Sequence, residues 1–117
     1  MNIEELRDFC ICKKGVEETF PFDNDTLVFK VMGKMFALSS IKNPNSVNLK
    51  CNPEKAIELR ASFGAIIPGY HMSKVHWNTI SYNEDVSDSL ILELVDHSYQ
   101  LVVSSLTKKL KTELDLM

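Results

Sequence analysis

The residue types with the widest chemical repertoire in this sequence are concentrated between Ile66 and Thr79. This segment holds two of the three histidines, the single tryptophan, a tyrosine and a lysine around a Pro68-Gly69 turn. Imidazole, indole, phenol and ammonium groups can bind metals, transfer protons, stack on bases or meet phosphates. Each of these functions needs partners elsewhere in the chain, so the rest of the sequence must decide among them.

The histidines and cysteines lack the spacing of a metal site. His71 and His76 are five residues apart around the turn with no cysteine or acid between them, whereas zinc takes three or four close ligands. Cys10 and Cys12 lie two residues apart on a predicted helix and therefore point to different sides. With Cys51 they make an odd number, which predicts free thiols and a reducing compartment. We expect no metal, no cofactor and no disulfide.

Enzymatic chemistry has little support in the sequence. His76 and His97 could act as general bases, but no serine or cysteine lies in a nucleophile elbow or a triad motif. The spatial neighbours of these histidines are not visible from the sequence, because side chains distant in the chain meet only in the fold. The sequence predicts a protein that is not an enzyme.

Contact with nucleic-acid phosphates is the remaining chemistry. The net charge of −3 argues against it, because nucleic-acid-binding domains usually carry a basic excess. The charge is unevenly distributed, however, with −4 in residues 1–25, +5 in residues 26–80 and −4 in residues 81–117. Acidic helices beside lysine-bearing strands would suffice to explain this pattern. The alternative is a basic sheet face that binds nucleic acid, with candidate residues Lys30, Lys34, Lys42, Lys50, Arg60, Tyr70, His71, Lys74 and Trp77.

The aromatic residues allow simpler structural interpretations. Trp77 is expected in the core with its indole N–H satisfied, rather than as a platform on which a base stacks. Tyr70 follows Pro-Gly in a turn, where a large ring is more easily exposed. The segment from Phe20 to Phe22 is interpreted as a loop whose two rings cover the sheet edge, because Pro21 keeps its predecessor extended.

Length and composition predict one domain spanning residues 1–117. A chain of 117 residues with 44% hydrophobic and 25% charged residues can bury a core of its own. No apolar run approaches the ~20 residues that cross a bilayer, and the N-terminal residues lack the features of a secretory signal. We therefore expect a cytoplasmic protein that does not bind membranes.

Three helices are predicted from capping residues and apolar spacing. The first spans about Ile3 to Lys14, the second follows the cap Asn52 and ends at Gly64, and the third runs from about Ser87 to Ser105. Ser98 is a small residue on the buried face of the third helix and would let a neighbouring backbone approach closely. The core-facing positions of the three helices include Leu6, Cys10, Ala56, Leu59, Phe63, Ile91, Leu94 and Val95.

Runs rich in β-branched and aromatic residues predict the strands. Leu27–Val31 and Lys34–Leu38 are joined at Met32-Gly33, which is typical of a hairpin because glycine tolerates positive φ. Ser46–Lys50 alternates between apolar and polar residues, so one sheet face is expected to be solvated. Two short strands, Ala65–Ile67 and Val75–Tyr82, follow. The order is helix, three or four strands, helix, two strands, helix: an α+β fold of two layers, with an antiparallel sheet and its helices on one face.

Five blocks of this sequence, in this order, resemble the MmcQ/YjbR family of small bacterial proteins. The resemblance covers nearly the whole chain. Its blocks are Glu18-Thr19-Phe20-Pro21-Phe22-Asp23, the hairpin from Val28 to Leu38, Pro68-Gly69-Tyr70-His71-Met72-Ser73-Lys74, His76-Trp77 and Ser98-Tyr99. The resemblance implies a cytosolic bacterial protein with a two-layer α/β fold like that of CyaY and of type III secretion chaperones.

The resemblance also implies a function, because members of this family are described as DNA-binding proteins with a double-wing motif. In this sequence the wings would be the hairpin around Gly33-Lys34 and the turn from Gly69 to Lys74. Their lysines would meet duplex phosphates weakly and without sequence preference, because an ammonium group is a point charge that carries little base information. The alternative is a protein- or small-ligand-interaction module with the chaperone-like fold and no nucleic-acid role.

Overall fold

The computed structural model describes residues 1–69 and 72–117, so the predictions made for Tyr70 and His71 lie outside the described residues. Its elements are, in chain order, α1 (Ile3–Ile11), β1 (Val16–Thr19), β2 (Thr26–Val31), β3 (Lys34–Ser40), β4 (Ser46–Lys50), α2 (Pro53–Ser62), β5 (Ile66–Pro68), β6 (Trp77–Ser81), α3 (Asp88–Ser104) and α4 (Lys108–Asp115). The strands form one antiparallel sheet in the order β1-β2-β3-β4-β6-β5. The predicted α+β class and the antiparallel sheet are confirmed.

The main core lies between the sheet and the helices α1 and α3. Strand residues that alternate toward this side pack against the apolar stripes of both helices. Cys10 is fully buried here, and Ile3 and Phe9 pack against the same cluster, as predicted. The largest fully buried side chains in this core are Phe29, Phe36, Leu6, Leu49, Ile66, Ile80, Ile91 and Val95.

The predicted hairpin between β2 and β3 is confirmed. Met32 and Gly33 both have positive φ, 49° and 84°, which is the backbone of the tight turns that suit the twist of paired strands. The register shifts after the Phe29–Ala37 pair, because Lys30 pairs with Met35. Phe36 is therefore the extra residue of a β-bulge, and both it and Ala37 are buried in the main core.

The face of the sheet that points away from α1 and α3, here called the open face, carries a second apolar cluster. Val28, Leu38 and Trp77 are buried in it, and Met35 and Met72 pack against them. The expectation of a solvated face is therefore wrong at its centre, because side chains of the sheet and of the loop before β6 exclude water there. The prediction that Trp77 is a buried residue is confirmed, since it is 9% exposed.

The first helix ends three residues earlier than predicted. α1 stops at Ile11, and the next residues turn the chain into β1 through Gly15, which has φ 72°. Lys13 forms an ion pair with Asp96 of α3, and the carbonyl of Lys14 accepts a 2.6 Å hydrogen bond from the hydroxyl of Tyr99. Both lysines are thus used to fix this turn rather than to extend the helix.

Two elements had no position assigned from the sequence, because neither carries its own apolar pattern, although the predicted order allowed a fourth strand before the second helix. β1 contains two glutamates and exists through its pairing with β2, from Val16–Val31 to Thr19–Val28. α4 is capped by Thr107, whose hydroxyl accepts from the amide of Leu110 at 3.2 Å, and it buries Leu114 while most of its side chains remain exposed.

Two smaller expectations also needed correction. β6 begins at Trp77 rather than at Val75, because the carbonyl of Ser73 accepts from the amide of Trp77 at 2.9 Å and closes a turn before the strand. The rings of Phe20 and Phe22 do not cover the sheet edge, since they are 45% and 63% exposed.

Candidate functional site

Lysines from four parts of the chain meet at one end of the sheet, here called the basic end: Lys30, Lys34, Lys50 and Lys74. Neighbouring strands in this sheet run in opposite directions. The same end of the sheet therefore holds the end of β2, the start of β3, the end of β4 and the start of β6. Lys50 pairs with Trp77, the first residue of β6, and Lys74 lies in the loop just before it. The fold therefore gathers predicted candidates that are as far apart in sequence as Lys30 and Lys74.

Lys30 and Lys50 lie on the open face at nearly the same level. They occupy β2 and β4 with β3 between them, so their Cα atoms are about 10 Å apart at the usual spacing of ~4.8 Å between strands. Lys34 pairs with Val31 and is exposed at the hairpin tip, where its register directs it toward the helix side. The basic end thus presents Lys30 and Lys50 on the open face and Lys34 at the hairpin tip.

None of the lysines of the basic end forms an ion pair within the described residues. The ion pairs there join the Met1 ammonium to Asp88, Arg7 to Glu18 and Lys13 to Asp96. Glu17 on β1 is the register partner of Lys30 and supplies an acid at the edge of the open face. The remaining cations are available to an external anion.

The backbone that carries Lys50 is fixed by Ser98 of α3. The Ser98 hydroxyl donates to the carbonyl of Phe36 at 2.5 Å and accepts from the amide of Lys50 at 2.9 Å. The pairing of β3 with β4 ends at Ala37–Leu49, one position before Phe36 and Lys50, so these two backbone groups need another partner. The sequence indicated Ser98 only as a small residue, because the point at which the two strands stop pairing has no clear sequence signal.

The loop that carries Lys74 is closed by a short contact at its base. The amide of Gly69 donates to the carbonyl of Trp77 at 2.8 Å. A Cβ atom at Gly69 would lie 2.7 Å from the Cβ of Trp77 and 3.0 Å from its carbonyl oxygen, so only glycine fits without a shift. The glycine of the predicted Pro-Gly turn is therefore required for close backbone approach.

Two further hydrogen bonds attach this loop to the elements beside it. The carbonyl of His76 accepts from the amide of Cys51 at 2.7 Å, which continues the pairing of β4 with β6. Arg60, in the last turn of α2, donates from Nη1 to the carbonyl of Lys74 at 2.9 Å. Arg60 thus lies at the basic end, and one N–H group of its guanidinium is bound to the main chain of Lys74.

Lys42 does not join the other candidates. It follows β3 at the opposite end of the sheet, where its amide donates to a carboxylate oxygen of Asp25 at 2.7 Å. This bond, together with one from the Ser40 hydroxyl, holds the pKa of Asp25 below its usual range. Asp23 lies in the same loop and accepts from the amides of Asp25 and Thr26. The surroundings of Lys42 are therefore acidic.

Trp77 reaches the basic end but offers little surface for stacking. Its side chain is part of the second apolar cluster with Val28 and Leu38. Because a base needs an exposed ring face, a residue that is 9% exposed cannot serve as a platform in this conformation.

The two buried thiols and His97 are poorly suited to catalysis. Burial raises the pKa of the Cys10 thiol to about 12 and also raises that of Cys51. His97 accepts a 3.2 Å hydrogen bond at Nε2 from the amide of Asn52, while burial, aided by the charge of Lys55, lowers its pKa. Its imidazole is thus neutral and engaged with the backbone.

Two open clefts lie away from the basic end. One, of about 650 Å³, is lined by Asn43, Asn45 and Asn83 beside Met1, near the start of β4. The other, of about 610 Å³, lies beside Phe9 on α1 and the exposed Cys12 that follows it. Within residues 1–69 and 72–117, no group of three histidine, cysteine or acidic side chains is placed to hold a metal ion.

None of the helices in the described part of the chain is both long and apolar enough to cross a membrane. The longest, α3, has 17 residues and contains Asp88, Glu93, Asp96 and His97.

Comparison with known proteins identifies the family. The family model YjbR matches residues 12–101 of this chain. The chain is 36% identical to the uncharacterised protein YjbR of Escherichia coli K12 over 110 residues, which are 93% of each protein. It is also 39% identical to the uncharacterised protein YbdF of Escherichia coli O157:H7 over 95 residues, 80% of this chain and 78% of that protein.

Solved structures agree in fold. The crystal structure of Deinococcus radiodurans protein DR2400, described as a DUF419 domain, is 40% identical and superposes with a TM-score of 0.90 over 97% of this chain and 87% of its own. A Pseudomonas syringae protein, 28% identical, superposes with a TM-score of 0.74 over 86% of this chain and 98% of its own. The match to the family model and the identity to both Escherichia coli proteins show that this chain belongs to the YjbR family.

Proposed function

We propose that this protein is a non-enzymatic DNA-binding module whose basic end contacts the phosphates of duplex DNA. The observation that carries the proposal is the placement of Lys30 and Lys50 side by side on the open face, with Lys74 in the adjoining loop. None of the three is in an ion pair within the described residues. Lysines that form no ion pair can neutralise phosphates and so release the counterions of a polyanion.

The distribution of charge sets the orientation and the strength of the complex. The acids of residues 1–25 and 81–117 lie largely on α1, α3 and the segments near them, so the basic end faces the DNA while the acidic helices are repelled. With few phosphate contacts and a net charge of −3, binding is weak. We expect a dissociation constant on the order of 10–100 µM at physiological salt, within the usual range of non-specific binding.

Contacts of this kind do not read base sequence. Each lysine meets a phosphate as a point charge, and the buried ring of Trp77 leaves little surface for stacking on an unpaired base. The complex therefore tolerates any duplex sequence and gains nothing from exposed bases.

The test is a fluorescence titration of the wild-type protein with labelled random duplexes and with the matching single strand, at several salt concentrations. We expect binding to all duplexes alike, with affinity that falls as salt rises and no preference for the single strand. Absence of salt-dependent duplex binding at low ionic strength would overturn the proposal.

A second candidate function is a protein- or small-ligand-interaction module. Ile67 on the open face and Val75 in the loop before β6 are 50% and 57% exposed, and exposed apolar side chains near each other favour a protein partner. The polar cleft beside Asn43 and Asn45 is large enough for a small ligand. Failure of the duplex titration would leave this function as the better account.

A further inference from the structure

We infer that Arg60 is a positioning residue that holds the loop carrying Lys74, rather than a ligand of phosphate itself. The inference rests on the proposed function for its consequence in DNA binding. The contact on which it is built does not depend on DNA.

The contact links an ordered helix to the middle of a loop. Arg60 lies in the last turn of α2, is partly buried, and donates from Nη1 to the carbonyl of Lys74 at 2.9 Å. The other backbone bonds of this loop lie within it or join it to the adjacent strands: Met72 to Gly69, His76 and Trp77 to Ser73, Gly69 to Trp77, and Cys51 to His76. Within the described residues, the bond from Arg60 is thus the one that joins the main chain of Lys74 to a neighbouring helix.

The direction of the guanidinium argues against a role as the principal phosphate ligand. Arginine binds a phosphate best when two parallel N–H groups of its planar fork face it. In this fold one N–H group is committed to a backbone carbonyl, and the charge lies near Cys51, whose pKa it helps to keep from rising further. Lys74 is exposed, so its side chain is the one presented to an external anion.

The consequence for binding is pre-organisation. A loop held in one conformation loses less entropy when its lysine meets a phosphate, so the bond from Arg60 strengthens binding through Lys74. The contributions of Arg60 and Lys74 to the free energy of DNA binding must then be less than additive, whereas those of two independent phosphate ligands would add.

A double-mutant cycle measures this departure from additivity. Duplex binding is titrated against salt for the wild type, Arg60→Ala, Lys74→Ala and the double variant, with Lys55→Ala as a control for removal of one cation from the same helix. We expect Lys74→Ala to lower the slope of log affinity against log salt by about 1, because it removes a phosphate contact, and Arg60→Ala to weaken binding with a smaller change in slope. The double variant should lower the slope by no more than Lys74→Ala alone. A slope that falls by about 2 in the double variant would overturn the inference.

Tryptic cleavage after Lys74 tests the same hydrogen bond without DNA. Arg60→Ala should speed cleavage between Lys74 and Val75 by roughly tenfold, the effect of removing one hydrogen bond from a charged donor, while Lys55→Ala leaves it unchanged. Mass spectrometry locates the cut, and a thermal melt confirms that each variant is folded. An unchanged cleavage rate in Arg60→Ala would overturn the inference. If the wild type does not bind DNA, the proposed function fails, and this measurement alone still decides the role of Arg60.

Discussion

Ser98 of α3 donates a 2.5 Å hydrogen bond from its hydroxyl to the carbonyl of Phe36 in β3, 62 residues earlier in the chain. The same oxygen accepts from the amide of Lys50 in β4 at 2.9 Å. One small side chain therefore bridges two strands just beyond their last pair, Ala37–Leu49. Because Lys50 is one of the lysines of the basic end, this bridge connects the packing of the core to the candidate binding surface.

Ser98→Ala should destabilise the protein. The substitution removes a fully buried hydroxyl and leaves the carbonyl of Phe36 and the amide of Lys50 without their partner, which costs about 1–3 kcal/mol for each buried group left unsatisfied. Chemical unfolding measures the change in stability. Ser104→Ala is the matched control on the same helix, because its hydroxyl is exposed and bonds only the carbonyl of Leu101. Equal stability of both variants would contradict this account of the bridge between β3 and β4.

Leu94→Ala tests the packing of α3 against the sheet. Leu94 is 3% exposed in the main core, so its truncation should lower the free energy of unfolding by roughly 2–5 kcal/mol. Thermal and urea unfolding would report the change. An unaltered melting temperature would mean that α3 does not cover the sheet as described.

Gly69→Ala should strain the loop of the basic end. The new methyl group would lie 2.7 Å from the Cβ of Trp77, and relief of that clash must shift the loop or the strand, at about 1–3 kcal/mol. Gly64→Ala serves as the control, since the nearest atom to its Cβ, Oδ2 of Asp85, is 3.6 Å away. If both alanine variants melt at the wild-type temperature, the close approach at Gly69 is not present.

The stability of the protein should fall as the pH drops from about 7 to about 5.5. Burial, aided by Lys55, lowers the pKa of His97 in the folded state below the ordinary 6.5, and Nε2 must stay unprotonated to accept from Asn52. The unfolded chain therefore binds the proton first, and stability is lost as the pH falls from near 6.5 through the folded-state pKa. Urea unfolding at both pH values measures this decrease.

The matched variant for this pH dependence is His97→Gln, which keeps a polar side chain but does not titrate. It should remove the decrease between these pH values, leaving only the decrease at lower pH that comes from carboxylates with lowered pKa such as Asp23 and Asp85. A variant with the same pH dependence as the wild type would show that His97 is not responsible.

The parts of the fold that could be predicted from the sequence are those with local signals. Asn52 and Pro53 mark the start of α2, and Met32-Gly33 marks the hairpin, because the caps and the turn are satisfied within a few residues. The positions of β1 and α4 were not predicted, since the first is held by its neighbour and the second buries little more than Leu114.

The candidate site, like the fold, could be predicted from the sequence only in part. Residue type was enough to identify the lysines as candidates. Only the strand order shows that Lys30, Lys50 and Lys74 lie at one end of the sheet and that Lys42 lies at the other. The bond from Arg60 to the carbonyl of Lys74 joins residues 14 positions apart in the chain, through a loop whose path no local pattern specifies. The sequence therefore identified the charges without indicating which of them act together.

The most direct test of the central claim is the salt dependence of duplex binding in Lys30→Ala/Lys50→Ala against that in Lys108→Ala/Lys109→Ala. Both double variants remove two positive charges, but the second pair is exposed on α4, which packs on the main core and so lies on the other side of the sheet from Lys30 and Lys50. We predict that the first variant lowers the slope of log affinity against log salt by about 2, since each phosphate that is no longer neutralised accounts for about 0.9, while the second leaves it close to the wild-type value. Equal slopes in the two variants would contradict the claim that the basic end is the DNA-binding surface.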